Sequence, residues 1–235
     1  MLSLRSLCLT LLTLLTFLIP TLSRADSRPA AAINVPKSAQ GLDRSNAASA
    51  KGQQGSDQLL LARVGLQGRL DPDVFSEALA RYRTTPGVSS PILTIIDYSK
   101  PSNEKRFFVI DMANEALLYD TFVSHGRQSG ALYADTFSNR VSSHQSSLGT
   151  FITGETYVGS NGYSLRLDGL DPGVNDNARQ RYIVIHGADY ADPTRLAHQG
   201  MLGRSLGCPA LPPQLAKQVI DTIKGGSVIY AHGQA

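Results

Sequence analysis

Residues 88–235 are expected to fold as a mainly β domain carrying a few short helices. Three observations point there. Short runs rich in β-branched and aromatic residues recur from residue 92 onward. Turn-forming residues separate most of them. Helical periodicity is confined to brief stretches.

The expected strands are 92–98, 106–111 and 116–124, with Asn114 at the turn between the second and third. Runs 151–158 and 163–167 then flank Gly159-Ser160-Asn161-Gly162, where an Asn-Gly pair signals a hairpin. Residues 181–185 form a further apolar strand ending at His186, and 228–231 closes the sheet. Asp192-Pro193 opens a short helix. Pro213 starts another, which reaches Lys224 and stops at Gly225-Gly226. That length suffices for one core.

Ahead of this domain, 58–87 is expected to be a short helical segment. Asp71-Pro72 supplies an N-cap followed by proline at the first helical position. Val74, Ala78, Leu79 and Tyr82 recur at helical spacing until Thr85-Pro86-Gly87. Residues 26–57 are rich in Ala, Ser, Gln, Gly and Asn, which favours a flexible linker. Residues 1–25 have the order of a signal peptide: Arg5, an apolar run over 7–22, then Ser23-Arg24-Ala25. The run is shorter than the roughly 20 residues that cross a bilayer. The chain is therefore expected to be exported, with no membrane span in its mature form.

The whole chain carries 22 Lys and Arg against 19 Asp and Glu. Loss of Arg5 and Arg24 with the signal peptide would leave it close to neutral, which argues against nucleic-acid binding. Cys8 would leave with the same segment, so Cys208 would be the one mature cysteine. An exported protein normally pairs its cysteines or has none, so a single thiol points to a reactive group. One cysteine with scattered histidines does not make a metal site. No cofactor is called for.

Cys208 lies in Arg204-Ser205-Leu206-Gly207-Cys208-Pro209-Ala210. Gly207 permits a sharp turn that could aim backbone N–H groups at a developing oxyanion. A thiol needs a neighbouring base, and His186, at the end of an apolar strand and followed by Gly187, is the candidate. A structural cysteine and a structural histidine are the alternatives. His125 and His144, beside turn-rich stretches, could line the same cleft. Arg166, Arg179, Arg181 and Arg204 surround these segments and suit carboxylate recognition.

His186-Gly187 followed by Ser205-x-Gly207-Cys208 resembles the signature of YkuD-like L,D-transpeptidases. The likeness is closer to the murein L,D-transpeptidase catalytic domain family. That family has similar stretches at Ser124 to Gly126, Ser146 to Phe151, Gly154 to Tyr157, Tyr163 to Gly169, His186 to Tyr190 and Gly207 to Pro212. The resemblance covers roughly residues 90–230. It implies a β-sandwich fold, Cys208 as acylated nucleophile, His186 as base, and a place in the periplasm or cell envelope. The implied partners are peptidoglycan peptide stems, cut after the L-centre of diaminopimelate to release D-alanine, with the acyl group passed to an amine in a 3→3 cross-link. Ser205, Arg204, Arg166, His144 and His125 are the expected substrate-binding residues, and Gly207 and Gly187 shape the catalytic turn and strand end.

Two positions depart from the family pattern. Leu206 stands where a histidine is usual, and Ala210 where Arg or Asn is usual. His144 or His125 is expected to fill the space left by the first change. The acceptor stays open: water would make the protein an L,D-carboxypeptidase or a hydrolase of protein–peptidoglycan links. A non-catalytic wall-binding module is the further alternative. A papain-like protease is disfavoured, because its cysteine precedes its histidine.

Overall fold

The computed structural model describes residues 51–234. The expected signal peptide and most of the expected linker lie outside them. Eight strands form one mixed sheet in the order β3-β2-β1-β8-β4-β5-β6-β7. They are β1 Ile92–Asp97, β2 Phe107–Asp111, β3 Ala116–Thr121, β4 Gly149–Gly159, β5 Gly162–Gly169, β6 Val184–Gly187, β7 Ala210–Leu211 and β8 Val228–His232. The domain is mainly β, as expected. The two layers of a sandwich arise here from a single sheet that curls toward a barrel. Ser124, just past β3, bridges to Ala210 in β7, so the two ends of the strand order meet.

β1 explains the layering. It pairs antiparallel with β2 and parallel with β8, and all six of its residues are buried. Its unbroken apolar run, rather than an alternating one, is what a strand covered on both faces requires. Ile92 and Ile96 face an inner core with Phe107, Phe151, Leu165 and Ile185. α4 (Pro213–Ile223) adds Ala216, Val219, Ile220 and Ile223 to that core at helical spacing. Leu93 and Ile95 point the other way, into an outer core.

Two helices cover that outer face. α1 occupies 51–63, and α2 is Pro72–Thr84. Asp71 caps α2 as expected, accepting from the N–H of Asp73 at 2.8 Å. Leu61, Phe75 and Leu79 pack on Leu93, Ile95 and Phe108. Residues 51–57, expected to be linker, are helical. Their polar composition hides the reason, which is tertiary. Buried Asp57 accepts a 2.9 Å hydrogen bond from Arg83, and the next turn buries Leu60 and Leu61. Among the described residues no helix is long and apolar enough to cross a membrane.

The hairpin forms where expected, with a different division of labour. Gly159 pairs with Gly162, so Ser160 and Asn161 make the loop. Gly162 alone takes the left-handed φ of +72°. After the hairpin, the expected strand 181–185 begins late. Arg181 and Tyr182 still belong to a turn, and Tyr182 has φ +56°. α3 (Leu196–Gln199) follows a short 3₁₀ turn capped by Asp192, as Asp192-Pro193 signalled.

Candidate active site

The loop that carries Cys208 is held on three sides. On one side, Ser205 N–H donates to His125 O at 2.9 Å, Arg127 N–H to Ser205 O at 2.8 Å, and Ser124 N–H to Ala210 O at 2.8 Å. On the other, β7 pairs parallel with β6, His186 opposite Ala210. Above it, Ser146 Oγ donates to Gly207 O at 3.1 Å. Within the loop, Ser205 Oγ donates to Cys208 O at 2.7 Å and accepts from Gly207 N–H at 3.0 Å. Gly207 has φ +125°. A Cβ there would lie 2.9 Å from both Gln145 O and Ile183 Cδ1, so the turn demands glycine.

Cys208 is 8% exposed and opens onto a cavity of about 380 Å³. His144, Arg181, Tyr182 and Leu206 help line it. The thiol donates to Tyr182 O at 3.4 Å. His186 pairs with Ala210, two residues past Cys208, so the strand end that carries the imidazole lies beside the loop that carries the thiol. Among the described residues no hydrogen bond joins Sγ to the imidazole. Nδ1 of His186 lies 2.9 Å from Gly187 O, an acceptor, so the proton sits on Nδ1 and Nε2 keeps its lone pair. Gly187 also lets α4 approach, because a Cβ there would meet Ala216 Cβ at 2.9 Å.

Burial sets the charge state of the pair. It pushes the Cys208 thiol above its ordinary value, against the pull of the Val184 amide and the Arg181 guanidinium. It pushes His186 below its ordinary value, partly offset by the Gly187 carbonyl. Both groups are therefore biased to neutral forms at rest.

Of the five expected substrate-binding residues, His144 alone lines the cavity. Ser205 is buried, and its hydroxyl is taken up inside the loop. Arg204 donates to Gly130 O at 2.9 Å. Arg166 pairs with Glu155 at 3.0 Å and lies over the Tyr157 ring, so its charge is already matched. His125 is fully buried, with Nδ1 accepting from Arg106 Nη2 at 2.7 Å. The Gly207 amide, expected to face the oxyanion, is occupied by Ser205; the Cys208 amide has no partner among the described residues.

Arg181, one of the arginines noted in the sequence, has a different task from carboxylate recognition. Its two terminal nitrogens donate to Ser138 O, Ser147 Oγ, Ser143 Oγ and Gln145 O. It thereby ties down the loop in which Ser142 and His144 take left-handed φ values of +60° and +55°. Tyr182 gave no sequence signal, because its part is played by a backbone carbonyl.

His125 predicts a pH effect on stability. Burial, then the Arg106 charge, hold its pKa at about 4, against an ordinary 6.5. The unfolded ring takes a proton as pH falls through 6.5, and the folded ring does not until about 4. Stability is thus full above that window and declines through it by about 3 kcal/mol. Urea unfolding from pH 7 to pH 4 should show the decline in wild type and a flatter profile in His125→Asn.

A sequence profile of the L,D-transpeptidase catalytic domain matches residues 66–232. No curated protein matches the sequence. Solved structures similar to the chain include an L,D-transpeptidase from Mycobacterium smegmatis, at 17% identity and TM-score 0.38, covering 61% of this chain and 59% of that one. L,D-transpeptidase 1 from Mycobacterium tuberculosis is 16% identical with TM-score 0.35, covering 61% and 62%. The helical cell shape determining protein Pgp2 from Campylobacter jejuni is 9% identical with TM-score 0.42, covering 63% and 49%. The chain spans about three fifths of the first of these structures. The profile runs from just past α1 through β8 and takes in every strand of the sheet, and on that match the chain belongs to the L,D-transpeptidase catalytic domain family.

Proposed function

We propose that the protein is a cysteine acyltransferase of the cell envelope, an L,D-transpeptidase acting on peptidoglycan tetrapeptide stems. The observation that carries the reading is a thiol opening onto a cavity, in a loop that pairs at Ala210 with His186, whose Nε2 lone pair is fixed by Gly187 O. Because both groups rest neutral, His186 takes the thiol proton as Sγ attacks, rather than holding a preformed ion pair. Sγ bonds to the carbonyl carbon after the L-centre of diaminopimelate, and the carbonyl π pair moves onto oxygen. Collapse breaks the C–N bond, and the leaving D-alanine nitrogen takes the proton from His186. An amine of a second stem then attacks the thioester, His186 removing its proton; the C–S bond breaks as the carbonyl re-forms, and Sγ takes that proton back from His186.

A hydrolytic outcome is the second reading. None of the side chains lining the cavity is acidic, so an ammonium-bearing acceptor would rely on neutral oxygens such as those of Asn161 and Gln180.

Intact-protein mass spectrometry of the full chain with a carbapenem tests the acyl-enzyme. One adduct per chain is expected. No adduct on a thiol that small alkylating reagents still reach would overturn the reading. Product analysis with a tetrapeptide, with and without an acceptor amine, separates transfer from hydrolysis.

A further inference from the structure

We propose that His144 is a catalytic residue, donating from Nε2–H to the oxyanion formed at the Cys208 acyl centre, and that Arg127 is its positioning residue. The proposal rests on the acyl-enzyme reading above and names the group that completes the site.

An acyl transfer of this kind puts negative charge on the carbonyl oxygen, and preorganised donors lower its barrier. The turn supplies fewer of them than its sequence suggests. The Gly207 N–H is occupied by Ser205 Oγ at 3.0 Å, which leaves the Cys208 amide. Side chains around the cavity can supply a second: Ser142, His144, Asn161, Gln180 and Tyr182 all carry a donor, and among the described residues the His144 ring has its tautomer set by a charged neighbour. Both terminal nitrogens of Arg181 are already engaged by the 138–147 loop. Leu206, beside the thiol, has no donor in its side chain and is 58% exposed.

His144 lines the cavity, and its surroundings choose its tautomer. Nδ1 lies 3.0 Å from Arg127 Nη2. A guanidinium has donors and no acceptor, so Nδ1 must accept, and the neutral ring carries its proton on Nε2. Nε2–H is then a donor on a ring that borders the cavity. The placement is also fixed through the main chain. His144 O accepts from Gln128 N–H at 3.1 Å, while the Arg127 N–H binds Ser205 O at 2.8 Å. Ring, guanidinium and thiol loop are thereby joined by hydrogen bonds. His144 sits at φ +55°, a conformation that costs energy for a residue with a side chain. The Arg181 bonds on either side, to Ser143 Oγ and Gln145 O, hold it there.

The test compares two reactions of the same thiol in the full chain. Carbapenem acylation passes through an oxyanion; alkylation by iodoacetamide does not. His144→Gly removes the ring and suits the left-handed backbone. It should slow acylation about 100-fold and leave alkylation at the wild-type rate. His144→Gln, which keeps an N–H donor, should recover part of the loss. Arg127→Met should slow acylation less than His144→Gly does, and should add nothing in the His144→Gly background. Equal acylation by wild type and His144→Gly would overturn the proposal, as would a parallel fall in both reactions, which marks a structural role. Failure of the wild type itself to acylate would instead remove the acyl-enzyme reading on which it rests.

Discussion

Cys208→Ala is expected to yield no carbapenem adduct and no release of D-alanine from a tetrapeptide, with the fold intact by circular dichroism. His186→Gln should keep the adduct but form it about 100- to 10,000-fold more slowly, the usual worth of a positioned base. Glutamine can still bond to Gly187 O but has no lone pair of comparable basicity to take the thiol proton. The pH profile carries the sharper information. Because burial lowers the His186 pKa, the free base persists further into acid than an ordinary histidine would allow, and the acid limb of acylation should fall below 6.5. Because burial raises the thiol, direct alkylation should still be climbing at pH 9. Alkylation already at its plateau near pH 6 would mean a standing thiolate–imidazolium pair and would refute the neutral-pair account.

The largest stability effect is expected at Arg106, which heads the fully buried side chains by volume. Its Nε and Nη2 donate to Val123 O at 3.1 and 3.0 Å, and Nη1 donates to Lys100 O at 2.7 Å. Nη2 also holds His125 Nδ1, and the guanidinium lies 5.2 Å from the Tyr98 ring centroid. Burial lowers its pKa to about 10, so it remains cationic at neutral pH. Arg106→Ala leaves a cavity and strands these acceptors away from water. A loss of about 3–5 kcal/mol is expected, from the cavity and from the buried acceptors left without donors. Arg106→Lys should recover little, since an ammonium cannot reproduce the planar fork. Urea unfolding measures both, and a loss below about 1 kcal/mol for the alanine variant would show that water replaces the missing donors.

Most strands were legible because their signals are local. The unbroken run of β1 and the glycine-bounded hairpin of β4 and β5 need no knowledge of partners. β7 was not legible: two residues between Pro209 and Pro212 carry no periodicity, and their pairing with β6 is set by the sheet alone. The site divides in the same way. Gly207-Cys208 and His186-Gly187 announce themselves by residue type and neighbours. The contacts of Arg127 with the His144 ring and of the thiol with the Tyr182 carbonyl are ones that no sequence pattern records. Arg166 and His125 misled because residue type shows what a side chain can bind, and not that Glu155 or Arg106 has already bound it.

The bridge between Ser124 and Ala210 has a consequence for how the chain matures. It joins segments far apart in sequence, as the β1–β8 pairing also does, and such contacts carry a large closure entropy. Cys208 lies beside that seam. Until the edges meet, the loop that carries the thiol lacks its bonds to His125, Arg127 and Ser146, and the cavity lacks its His144 wall. A half-folded chain therefore carries an ordinary cysteine. Closing the seam is thus what buries the thiol and raises it above its ordinary value.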